Sequence, residues 1–150
     1  FLPRTRIEFA YRDPKCEATS ALKGALQLIT STFGGDGVSA IIGAGCSDSS
    51  IASAQAADAT FSVPVISPSS TSPALSEGNV YPTFLRTVAS DALIAEVVTD
   101  VLHNLFNYSI VALVTSTDSY GDGFESAFES ASTRGVDISL SLKVAADGSN

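Results

Sequence analysis

Strand-like and helix-like segments alternate along the whole chain. This predicts an α/β fold of mostly parallel strands joined by right-handed crossovers. Three observations carry the prediction. Residues 38–42 and 110–114 are near-continuous apolar runs, the pattern of strands buried on both faces. Between such runs, apolar residues recur at helical spacing. Glycine clusters stand where helices must stop, at 34–37 and at Gly135.

The elements follow in order. Residues 7–11 (IEFAY) read as a strand ended by Arg12-Asp13-Pro14. Residues 17–33 read as a helix whose apolar stripe is Leu22, Ala25, Leu26, Ile29 and Phe33. Residues 38–42 form the second strand, and the alanine-rich stretch 49–60 the second helix. Residues 63–67 form a third strand that runs into a Ser/Thr/Pro loop, and residues 84–88 a fourth. Ser90 is placed to cap a helix over 91–106, with Ile94, Val97, Val98, Val101 and Leu105 as its buried stripe. Residues 108–115 are a buried strand, 116–123 a loop, 124–133 a helix and 136–144 a last strand.

Two of these strands each run straight into a serine-rich loop: SAIIGAGCSDSS at 39–50 and VPVISPSSTSPALS at 63–76. Adjacent parallel strands end at one edge of a sheet. Their loops would there form a wall of hydroxyls and free backbone N–H groups suited to a small polar ligand. Ser47 and Ser49, at the start of the second helix, are candidates to hold a carboxylate. Asp48 either caps that helix or favours an amine.

Composition narrows the function. With 150 residues, 45% apolar and 16% charged, the chain has the make-up of an ordinary globular domain. A net charge of −8 and the absence of any basic stripe argue against nucleic acid. Gly43-Ala44-Gly45 is half of a dinucleotide fingerprint, but Asp48 stands where its third glycine belongs. The lone His103 lies on a predicted helix with no Gly-x-Ser-x-Gly elbow in the chain, so a hydrolase triad is not supported. One histidine and two cysteines offer no metal-ligand spacing, and no cofactor is expected. Asp118, Asp122 and Glu125 read as ordinary complements of a helix dipole. Cys16 and Cys46 permit one disulfide or two buried thiols. Asn107-Tyr108-Ser109 is a glycosylation sequon. The chain contains no methionine, opens on Phe1 and stops in Gly-Ser-Asn, which reads as a segment of a longer protein.

In IIGAGCSDSSIASAQAA (41–57), VPVISPSSTSPALS (63–76), YPTFLRTVASDALIAEVV (81–98) and VALVTSTDSYGDGFESAF (111–128), the chain resembles the type I periplasmic-binding-protein fold in its receptor form. That form is the Venus flytrap domain of class C G-protein-coupled receptors, with pieces similar to GABA type B and metabotropic glutamate receptors. The resemblance implies two α/β lobes with a ligand cleft between them: residues 1–88 part of lobe one, and residues 89–150 the start of an incomplete lobe two. It also implies a Cys16–Cys46 disulfide.

For the site, the resemblance implies that Ser47, Asp48, Ser49, Ser69, Ser70 and Thr71 hold an amino acid or GABA-like ligand from lobe one. Asp91 would take its amine, and Tyr120 would close over it from lobe two. Asp48 stands where glutamate receptors carry a carboxylate-binding serine, and Pro68 where these receptors usually carry tyrosine. The implied setting is the extracellular side of the plasma membrane. The implied partners are a dimer mate docked through lobe one and a G protein reached through a membrane domain outside this chain. No catalysis is implied. The alternatives from the same resemblance are the substrate-binding protein of an amino-acid transporter and a receptor guanylate cyclase ectodomain.

Overall fold

The computed structural model describes residues 6–146; the outer ends of both expected lobes, 1–5 and 147–150, lie outside the described residues. It is an α/β structure with parallel sheets, as the alternation predicts. In chain order the elements are α1 (Ala18–Ser31), β1 (Ile41–Ile42), α2 (Ser47–Phe61), β2 (Val65–Ser67), β3 (Phe84–Arg86), α3 (Asp91–Asp100), β4 (Ile110–Ser116), α4 (Ser119–Ser132) and β5 (Asp137–Val144). Short 3-10 turns fill Phe33–Gly35 and Pro73–Ser76, and a π-helical turn at Val101–Leu105 extends α3.

One sheet has the order β1-β2-β3 and the other pairs β4 with β5, all parallel. The first core gathers Leu28 and Ile29 of α1, Ala54 and Ala57 of α2, Ile41, Val65 and Phe84 of the sheet, and Leu75 and Tyr81 of the connecting loops. The second packs Ala95 of α3 and Phe128 and Ala131 of α4 against Val111, Leu113 and Ile138.

Four expectations are corrected. Residues 7–11 form no strand: Ile7, Phe9 and Tyr11 are exposed, and β1 pairs only with β2 among the described residues. A strand exists only where a neighbour accepts its hydrogen bonds.

The buried face of α1 is Ala21, Gly24, Ala25, Leu28 and Ile29, and the expected Leu22, Leu26 and Phe33 point outward. The reason is its partner. α2 brings Ala54 and Ala57 into the core shared with Ala25, Leu28 and Ile29, and small residues let the two helices approach closely.

The stripe expected on α3 is also rotated. Asp91, Ala95 and Thr99 are buried, whereas Val97, Val98, Val101 and Leu105 are exposed.

Lastly, β4 is covered on one face only. Val111 and Leu113 meet the helices, while Ile110 and Val114 are 66% and 61% exposed. In the first sheet Ile41 and Ile42 divide the same way, with Ile42 77% exposed. Among the described residues, helices cover the Ile41 face of the first sheet and the Val111 face of the second. Burial on both faces, expected from the apolar runs, is therefore not seen: the Ile42 face and the Ile110 face are exposed.

Candidate ligand cleft

Three helix N-termini converge beside the ends of β1, β2 and β4. α2 begins at Ser47 rather than Ser49, so Ser47, Asp48 and Ser49 form its first turn. α4 begins at Ser119, so Tyr120 and Gly121 are helical rather than part of a loop. α3 begins at Asp91 behind its cap Ser90, whose side chain accepts the Ala92 N–H at 3.3 Å. First-turn N–H groups lack intrahelical acceptors and carry the positive end of the helix dipole.

The two serine loops are stitched together mostly by the hydroxyls that the sequence assigns to a ligand. Ser67 Oγ donates to the Ala44 carbonyl at 2.6 Å, and Ser69 Oγ to the Gly45 carbonyl at 2.9 Å. Ser50 and Ser70 share a hydroxyl–hydroxyl bond of 2.8 Å, and Ser47 Oγ accepts the Ser72 N–H at 3.3 Å.

The second loop is gripped from the sheet by Arg86. Its guanidinium donates to the Ser72 carbonyl at 2.9 Å, to the Ser70 carbonyl at 3.4 Å and to Ser76 Oγ. Burial lowers the Arg86 pKa, and the charge of Asp91 works against that shift. Sequence reasoning passed over Arg86. The available signal was a lone cation closing an otherwise apolar strand.

Where the second sheet's helix meets these loops, the Tyr-Gly-Asp-Gly segment has a steric reason. A Cβ on Gly121 would collide with the Ser116 carbonyl, and one on Gly123 would lie 2.8 Å from Pro73 Cδ. Asp118 caps α4, accepting the Gly121 N–H at 2.8 Å and the Ser116 hydroxyl at 2.6 Å. Burial pushes its carboxyl up, but these bonds prevail and hold it below the ordinary range. Lys143 reaches Asp122 at 2.7 Å and Glu125 at 2.9 Å, so those two acids are spent on α4–β5 packing.

Between these parts lies a cleft of about 650 Å³. Ser47, Asp48, Ser69, Thr71, Asp91 and Tyr120 line it, together with Asp118, Phe124 and the cysteine pair. Ser49 and Ser70 do not; both are fully buried behind the wall. Cys16 and Cys46 are disulfide-bonded, fastening the segment before α1 to the start of α2.

Asp91 is 2% exposed, and its backbone N–H donates to the Thr71 carbonyl at 2.9 Å. Burial raises its carboxyl pKa; the adjacent Thr71 hydroxyl and the Arg86 charge offset part of that. The Thr71 hydroxyl lies beside Asp91 Oδ2, and neither atom has another hydrogen-bond partner among the described residues. A second cavity, of about 660 Å³, lies between the 73–76 turn, α3 and α4; it holds none of the expected site residues.

Residues 1–150 match the receptor family ligand-binding region along their whole length. The chain belongs to that family. Its curated relatives include a "Metabotropic glutamate receptor" of Drosophila melanogaster, 38% identical over 85 residues, and "Metabotropic glutamate receptor 4" of Macaca fascicularis, 37% identical over 86 residues. Each alignment covers 56% of this chain and 9% of the relative, so the matched stretch spans a small part of either receptor. This is therefore a receptor ligand-binding region related to metabotropic glutamate receptors. No helix among the described residues is long and apolar enough to cross a membrane.

Proposed function

We propose that this chain forms part of the extracellular ligand-binding domain of a class C-like receptor, and that it takes an amino acid or GABA-like molecule in the cleft. The observation that carries this reading is the composition of the cleft wall. Two serine loops from the first sheet, the α3 N-terminus and Tyr120 of α4 surround one space. Residues 1–88 act as one jaw and residues 89–150 as the beginning of the other.

A ligand carboxylate would lie at the α2 N-terminus, where N–H groups and the Ser47 hydroxyl meet. Its amine would lie at Asp91, whose buried carboxylate has an unpartnered oxygen. Tyr120, half exposed at the cleft, would cover it as the jaws close. Closure is driven only by the ligand's higher affinity for the closed state. In this reading the receptor dimerises through the first jaw and reaches its G protein through a membrane domain outside this chain.

The test is calorimetric titration, with amino acids and GABA, of protein expressed from the whole open reading frame. Binding that weakens at least tenfold in the Ser69→Ala/Tyr120→Ala double variant supports the reading; each tenfold is about 1.4 kcal/mol. Unchanged affinity in that variant would sink the site assignment.

A further inference from the structure

We propose that the ligand of this cleft carries two separated cationic groups and at most one carboxylate, the pattern of a basic amino acid or a short diamine. The proposal rests on the reading of the cleft as the ligand site and specifies what that site accepts.

The first observation is charge. Asp48, Asp91 and Asp118 line the cleft, and among the described residues no lysine, arginine or histidine does. The nearby helix N-termini contribute about half a positive charge each, which does not cancel three carboxylates. Arg86, beside this wall but not lining it, offsets part of the Asp91 charge while its N–H groups bond the Ser70 and Ser72 carbonyls and Ser76; Asp48 and Asp118 have no such cation among the lining residues.

The second observation is an unmet bonding demand. Asp91 is almost wholly buried, and its Oδ2 has no hydrogen-bond donor. Thr71 Oγ1, also buried, lies beside it and stabilises the Asp91 carboxylate without meeting its full demand. An ammonium has three donors and no acceptor, so a single one satisfies both oxygens.

The third observation concerns the other end of the cleft. The bonds to Asp48 from Ser119 both fall on Oδ1. Asp48 and Asp118, the latter already accepting from Ser116 and Gly121, line the same cleft as Asp91, so their charge acts on whatever extends from the first ammonium. A second cation gains a charge-assisted bond there. A second carboxylate, as in a dicarboxylic amino acid, meets like charge without a counter-ion. Such repulsion is an effective way to reject a near relative of the accepted ligand.

The experiment titrates the whole open-reading-frame protein with L-lysine, L-ornithine, 1,4-diaminobutane, GABA and L-glutamate by calorimetry. The proposal expects one of the three dicationic compounds to bind at least tenfold more tightly than GABA or glutamate. A preference for ornithine over diaminobutane assigns an amino acid, and the reverse assigns a diamine. Asp48→Asn keeps the acceptor for Ser119 and removes the charge. It should weaken the dicationic ligand roughly tenfold, as loss of a charge-assisted hydrogen bond does, while thermal unfolding confirms a folded variant. Tightest binding of glutamate or GABA, abolished by Tyr120→Ala, overturns this proposal and leaves the cleft reading intact. Silence toward all five compounds overturns this proposal, and silence toward the remaining amino acids as well overturns the cleft reading.

Discussion

Asp48 Oδ1 accepts the backbone N–H of Ser119 at 3.3 Å, and the Ser119 hydroxyl closes on the same oxygen. The first turn of α2 is thus tied to the first turn of α4 across 71 residues of sequence. Asp48→Ala removes both bonds and an acid from a helix N-terminus. The expected loss is about 1–2 kcal/mol. Asp48→Asn retains the acceptor and should lose less than about 1 kcal/mol. Urea unfolding midpoints distinguish the two. Faster amide exchange over 119–123 in the alanine variant alone would confirm that the link holds α4 in place.

Arg86 holds the second serine loop by its carbonyls, which a ligand does not replace. Arg86→Ala should destabilise the protein by about 2–3 kcal/mol, since bonds to a charged donor are lost and Asp91 loses its countercharge. The matching check is the double variant with Asp91→Asn. Removing the buried charge as well should recover part of the loss. A strictly additive double variant would show that Arg86 and Asp91 do not interact.

Asp91 gives stability a pH dependence of defined sign. Its folded-state pKa is raised, chiefly by burial. Between its unfolded value and that raised value, the folded protein binds the proton more tightly. The contribution of Asp91 to stability is therefore greatest in acid and falls as pH rises through the folded pKa. Asp118 runs the other way. Its folded pKa is depressed, so its contribution is present above the unfolded value and is lost as pH falls through the folded one. Asp91→Asn should therefore raise stability at neutral pH while weakening ligand binding, a trade between stability and function at one residue. Denaturant unfolding of both proteins at pH 4 and pH 7 measures it. An Asp91→Asn variant less stable than the parent at pH 7 would contradict the burial argument.

The order of strands and helices was legible because periodicity and glycine stops are local signals. The two serine loops could be placed side by side because adjacent parallel strands deliver their following loops to one edge; Tyr120, which follows β4 of the other sheet, was placed opposite them only by the family resemblance. What local signals lack is the identity of the neighbour. Leu22 and Leu26 suit a helix core by size, yet α1 turns Ala25, Leu28 and Ile29 toward Ala54 and Ala57 of α2 and leaves Leu22 and Leu26 outside. Val97 and Val101 are as apolar as any core residue, yet α4 packs against Ala95. Ser70 is indistinguishable in sequence from Ser69; it turned inward because Ser50 offers it a buried partner. Arg86 escaped notice because its partners are backbone carbonyls, which every sequence possesses and none advertises.

The disulfide gives the remaining prediction. Cys16 and Cys46 are 30 residues apart, and each borders the cleft. On the chain-entropy account, closing a loop of that length stabilises the fold by about 3.6 kcal/mol. Cys16→Ser/Cys46→Ser should lower the unfolding free energy by roughly that amount. The position of the bond adds a local effect. Cys46 immediately precedes the first turn of α2, and no side chain caps that turn. The covalent link to the segment before α1 therefore fixes the start of this turn, beside the Ser72 bond to Ser47 and the Ser119 bonds to Asp48. Removing it should increase amide exchange at 46–50 more than in the Val65–Ser67 strand, which the sheet holds independently. Equal increases in both segments would mean that the disulfide acts only through global stability.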